Sequence, residues 1–178
     1  MTKLIVHHTT NPGDEEPYFK TNNSRSSCPT WYQKANGEVI EMIAPDKRPS
    51  ATGSANNGSV AIETQNTTTD PNWETSAEAL ESIARIAAWL SQQTEIGGIP
   101  FDIKLDRQHI IGHSEAGVNP TACPGPFILP RLDAVVARAK EIVAAQTPSQ
   151  PEPQPDTVAV DRGWLSSVFD KLKALLGK

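Results

Sequence analysis

The stretch TSAEALESIARIAAWLSQQT, residues 75–94, constrains this chain more than any other. Leu80, Ile83, Ile86, Ala87 and Leu90 recur at helical spacing and make one apolar face. Thr75 and Glu78 have the spacing of a capping box, which places the start of the helix. A helix with a single apolar stripe has to bury it against another layer. The segment LPRLDAVVARAKEIVAAQ repeats the pattern, with Pro130 at its start and Leu132, Val135, Val136, Ala139, Ile142 and Val143 on one side. Between and before these helices lie short apolar runs. KLIVHH reads as a buried strand, GEVIEMIA as an alternating one, SVAIETQN as a third after the turn-forming Ala-Asn-Asn-Gly, and RQHIIGH as a short fourth. Strands interleaved with two amphipathic helices predict an α/β fold: a central, mostly mixed β-sheet flanked by helices. Residues 11–29 and 44–58 are polar and read as long loops, where substrates are often held.

The C-terminal part differs in composition. TPSQPEPQPD carries Pro148, Pro151, Pro153 and Pro155 and reads as an extended, semi-rigid linker. After it, DRGWLSSVFDKLKALLGK places Trp164, Leu165, Val168, Phe169, Leu172, Leu175 and Leu176 at helical spacing, with Asp161 as N-cap. The expected organisation is a domain at 1–145, a linker at 146–160 and a terminal amphipathic helix at 161–178. That helix is expected to dock on the domain or self-associate. Lys171, Lys173 and Lys178 offer modest attraction to anionic lipid, which Asp161 and Asp170 dilute.

Charge excludes one class of partner. Net charge is −5, and residues 1–145 carry 12 Lys/Arg against 17 Asp/Glu, while 146–178 carry 4 of each. Nucleic-acid binding needs a basic footprint, and none is present. The apolar run at Leu4–Val6 is too short for a secretory signal, and no run has the length of a transmembrane segment. The expectation is synthesis in the cytoplasm. Two cysteines 95 positions apart are no disulfide framework, and a Cys28–Cys123 bridge is disfavoured in that compartment.

The chemistry-bearing residues cluster in two places. His7 or His8 ends the first strand; His113 ends a later strand, and Cys123 lies ten residues beyond in GHSEAGVNPTACPGP. Two imidazoles and a thiolate, with a fourth position open, match a catalytic zinc site. The same residues also fit polar strand ends and a small buried thiol. His109 is four before His113; strand spacing would put the two about 13 Å apart, so His109 reads as structural.

Taken together, IVHHTT, SVAIETQN and GHSEAGVNPTACPGP resemble the zinc-dependent N-acetylmuramoyl-L-alanine amidases of the type 2 amidase and peptidoglycan recognition protein superfamily, including its phage endolysin-like members. The resemblance runs from about residue 3 to 145. Its most specific element is Gly-His, ten residues to a metal-binding Cys, then Pro-Gly. It implies a Zn2+ cofactor held by His7, His113 and Cys123. His7 rather than His8 matches the family's His two before a small hydroxylated residue, and neighbours in a strand point to opposite faces. It implies Glu63 as the base that takes a proton from water and passes it to the leaving amine, and Thr121 as an oxyanion donor. The bond cut would join N-acetylmuramic acid to L-alanine of the peptidoglycan stem peptide. Trp73, Asn66 and Arg48 are weaker candidates for substrate contact, and Trp31 and Tyr32 read as core or sugar-stacking residues. One departure stands out: Pro29 and Thr30 fall where many members carry a catalytic Tyr and its neighbour, so no Tyr transfers to a catalytic role. The resemblance also implies a lytic enzyme released from a host through a holin-type lesion. A cytoplasmic wall-recycling amidase and a binding-only recognition module are the alternatives; the retained Cys123 argues against the second.

Overall fold

A computed structural model describes residues 1–22 and 27–146. In chain order these residues form β1 (Lys3–His8), α1 (Glu16–Asn22), β2 (Trp31–Gln33), β3 (Val39–Glu41), β4 (Ser59–Thr64), α2 (Ala77–Ser91), β5 (Glu95–Ile96), β6 (Ile99–Pro100), β7 (Ile110–Gly112), α3 (Gly125–Ile128) and α4 (Leu132–Gln146). The expected terminal helix at 161–178 and nearly all of the linker lie outside the described residues.

The main sheet has five strands in the order β3-β2-β4-β1-β7. β1 pairs in parallel with β4 and β7, β2 pairs in parallel with β4, and β3 runs antiparallel to β2. The sheet is therefore mixed and flanked by helices, as the alternation of strand and helix patterns predicts. Pleating divides β1 and β4 cleanly. Leu4, Val6, Val60 and Ile62 join Ile83, Ala87 and Leu90 of α2 and Leu132, Val135 and Ala139 of α4 in one apolar core. Ile5, Ala61 and Tyr32 are buried outside that cluster, and α1 sets Phe19 against Tyr32 with ring centroids 5.4 Å apart. Ile83 is fully buried at the centre of the α2 face. We expect Ile83→Ala to lower unfolding free energy by about 2–5 kcal/mol, read by urea denaturation.

Several local expectations are corrected. The helix start is set by Ser76, whose hydroxyl accepts from the Ala79 N–H at 2.9 Å, and not by a Thr75–Glu78 box. Thr75 donates its hydroxyl to the Gln65 carbonyl instead, tying the helix entrance to the end of β4. The 11–29 stretch is not all loop, because Glu16–Asn22 is helical. WYQ forms a strand that no alternation betrays, since all three residues are buried. The RQHIIGH strand is only Ile110–Gly112. Asp106 Oδ1 accepts from the N–H groups of Gln108 and His109, turning that segment into a loop. His109 therefore owes its structural role to its 2.6 Å contact with Asp106 rather than to strand spacing.

Candidate metal centre

Parallel pairing places the site. His7 lies opposite Glu63 in the β1–β4 register, and Glu63 lies opposite Tyr32 in the β4–β2 register. Residues paired across strands share a face, so the three make one row on the side away from the α2/α4 core. On the other side of β1, Val6 pairs with Gly112, and the chain leaves β7 directly into His113. His113 is not the last strand residue but the first of a 3-10 turn, His113–Ala116.

The loop from His113 to Cys123 is closed by its own backbone. The Ser114 N–H donates to the Cys123 carbonyl at 2.8 Å. Glu115 accepts from the Gly112 N–H at 2.7 Å and is gripped by Arg107 at 2.7 and 2.6 Å. Gly112 has to be glycine for space: a Cβ there would lie 2.6 Å from Pro124 Cδ and 2.7 Å from Leu129 Cδ1. The loop thus starts and ends against the same wall.

His7, His113 and Cys123 each present a ligand atom, and these atoms lie within 4.8 Å of one another. His7 Nδ1 is 3.7 Å from Cys123 Sγ. Tetrahedral zinc with ordinary Zn–N and Zn–S lengths separates such a pair by about 3.6 Å, so the geometry fits. The His7 and His113 rings stand 4.5 Å apart, tilted at 48°. His7 Nε2 meets the Thr52 hydroxyl at 2.9 Å. His113 Nε2 is 3.4 Å from Asn119 Oδ1.

The electrostatics suit a cation. Burial, then the neighbouring His113 and His8, push His7 down to about 3, so it stays neutral and ligand-competent at any ordinary pH. Burial and the nearby Glu63 raise the Cys123 thiol, so without a cation the sulfur keeps its proton. Burial, then the Glu15 carboxylate, push Glu63 up to about 8. Its folded-state value exceeds the ordinary 4.5, so its contribution to stability is full below about 4.5 and lost as pH rises through about 8. In zinc-free protein, Glu63→Gln is therefore expected to raise Tm clearly at pH 9 and little at pH 4, by calorimetry. An equal shift at both pH values would contradict the burial of this carboxyl.

The remaining candidates divide. Thr121 sits beside the centre, its oxygen accepting from the Cys123 N–H at 3.1 Å. Trp73 packs edge-on against His8, centroids 5.0 Å apart, on the flank of the ligand loop. Asn66 is buried, accepts from the Thr10 N–H and donates to the Trp73 and Glu74 carbonyls. Its amide is spent on bracing the loop. Arg48 is exposed, donates to Asn57 Oδ1 at 2.7 Å, and borders a polar recess of about 370 Å³ with Ser50 and Asn56. Trp31 and Tyr32 are buried, as core residues are, and Cys28 and Cys123 are both free thiols. Thr52 and Asn56 were missed. They lie in a polar loop without periodicity, and nothing in their spacing marks them.

At one end of this mixed sheet, His7 and Glu63 on paired parallel strands and His113 and Cys123 on the loop after β7 form a donor set of the kind that catalytic zinc sites use. The sequence profile described as N-acetylmuramoyl-L-alanine amidase matches residues 1–126, and the chain belongs to that family. Solved structures share its fold at low identity. The N-acetylmuramoyl-L-alanine amidase LysC from Clostridium intestinale is 16% identical with a TM-score of 0.55, over 76% of this chain and 85% of that one. AmpDh3 from Pseudomonas aeruginosa is 17% identical at 0.59, over 79% and 59%. The amidase AmiD from E. coli, solved with anhydro-N-acetylmuramic acid-L-Ala-D-gamma-Glu-L-Lys, is 14% identical at 0.58, over 77% and 57%. No curated protein matches the chain.

Proposed function

We propose that this chain is a zinc-dependent amidase that hydrolyses the bond between N-acetylmuramic acid and L-alanine in peptidoglycan. The observation that carries the reading is the meeting of His7, His113 and Cys123 within 4.8 Å, with Glu63 next to His7 in register. Zinc held by this trio supplies Lewis acidity towards the scissile carbonyl and lowers the pKa of water. Glu63 is the base: its value of about 8 suits proton transfer near neutrality, and a divalent cation nearby favours its charged form. It takes the proton of the attacking water and delivers it to the amine leaving with L-alanine. Thr121, whose oxygen already accepts from Cys123, donates its own hydroxyl hydrogen to the oxyanion. Trp73, packed against His8 beside the ligand loop, and the exposed Arg48 are the candidate contacts to the substrate. Arg48→Ala is expected to raise KM about tenfold with kcat little changed, measured on muropeptides.

The wall-lytic role is the preferred biological setting, with residues 1–145 as the catalytic part, 146–160 as linker and 161–178 as an appended helix. It is supported by the likeness to an endolysin from Clostridium intestinale, 17% identical with a TM-score of 0.54. Entry to the wall through a holin-type lesion belongs to the same proposal. Among the described residues, no helix is long and apolar enough to cross a membrane. Turbidity loss of intact sacculi against cleavage of soluble anhydro-muropeptides separates lysis from recycling. Preference for the soluble fragments would overturn the lytic role.

A further inference from the structure

We propose that Thr52, held by Asn56, is a positioning residue that fixes the tautomer of His7 and thereby makes Nδ1 the metal-facing nitrogen. The inference rests on the zinc reading above and deepens it. A neutral imidazole carries one proton on either of two nitrogens, and only the bare nitrogen can ligate. In His7, Nδ1 is turned to Cys123 Sγ at 3.7 Å, while Nε2 lies 2.9 Å from Thr52 Oγ1. The Thr52 hydroxyl is able to accept the Nε2–H as well as to donate to Nε2; in the tautomer proposed it accepts, which leaves the Nδ1 lone pair directed at the other two ligands.

The acceptor is itself immobile. Thr52 and Asn56 are 1% and 4% exposed. Asn56 Oδ1 accepts from the Thr52 N–H at 2.7 Å and from the Ala51 N–H at 3.0 Å, so one amide oxygen pins two successive backbone groups. Gly53 follows with φ +54, a conformation that favours glycine, and a Cβ there would lie 2.8 Å from Val118 Cγ1 in the ligand loop. The Thr52 segment therefore rests on the same loop that carries His113 and Cys123. With the opposite tautomer, a proton on Nδ1 would point at the cation's place, and binding would first require that proton to move.

Two measurements test this. In zinc-free wild type at neutral pH, long-range 1H–15N correlation is expected to show His7 protonated on Nε2; protonation on Nδ1 overturns the proposal. Thr52→Val keeps the shape and removes the acceptor. Its zinc affinity, by chelator competition, is expected to fall about 10–100-fold, with Thr52→Ser restoring most of it. Equal affinity of Thr52→Val and wild type also overturns it. Should Thr52→Val not fold, the wild-type tautomer decides alone. Wild type that takes up no zinc would defeat the zinc reading, while the tautomer measurement still reports on Thr52.

Discussion

Cys123→Ala is expected to lose its zinc and, with it, about a thousandfold or more of the amidase rate. The magnitude follows from the donor set. Removing the thiolate leaves two imidazoles, one of them partly exposed, where catalytic zinc sites keep three protein ligands. The thiol contributes little to the apolar core, which lies across the sheet among Leu4, Val6, Ile62 and the helices. The variant should therefore fold, with unchanged far- and near-ultraviolet circular dichroism. Metal content by mass spectrometry then reads the ligand role directly. A folded Cys123→Ala protein with one tightly bound zinc per chain would remove Cys123 from the site.

Glu63→Gln is expected to keep its zinc and slow turnover by about 10²–10⁴-fold, with KM little altered. The amide retains the size of the side chain and its place beside His7, but it cannot accept the proton of water. Tyr32, the next residue in the same row, is the other group near enough to be suspected. Its oxygen already accepts from the Glu15 N–H at 3.0 Å, and burial pushes its pKa up to about 12. Proton transfer near neutrality does not suit it. Tyr32→Phe should accordingly cost stability more than rate. Single-turnover kinetics on a defined muropeptide distinguish the two, and a normal rate for Glu63→Gln would place the base elsewhere.

The parts legible in the sequence are those governed by period and spacing. Apolar stripes exposed α2 and α4, and the run LIV exposed the central strand, because burial on one or both faces leaves a pattern. Alternation along β1 also separates His7 from His8: one joins His113 and Cys123, the other packs against Trp73. What stayed hidden depends on contacts between distant segments. β2 is three buried residues long and has no period to detect. The choice of Ser76 over Thr75 as cap depends on the Gln65 carbonyl ten residues before Thr75. Thr52 becomes meaningful only because a five-residue turn folds it over a histidine 45 positions away. The bonds from the Asn66 amide to the Trp73 and Glu74 carbonyls likewise depend on the folded loop and leave no mark in the spacing of residues.

The most direct test is to digest purified peptidoglycan with the zinc-loaded chain and identify the new ends by mass spectrometry. Stem peptides released with a free L-alanine amine, glycan strands left with intact lactyl carboxylates, and loss of both products on chelation are expected. Cuts within the glycan or between peptide residues, or wall fragments bound without any cut, would contradict the amidase assignment.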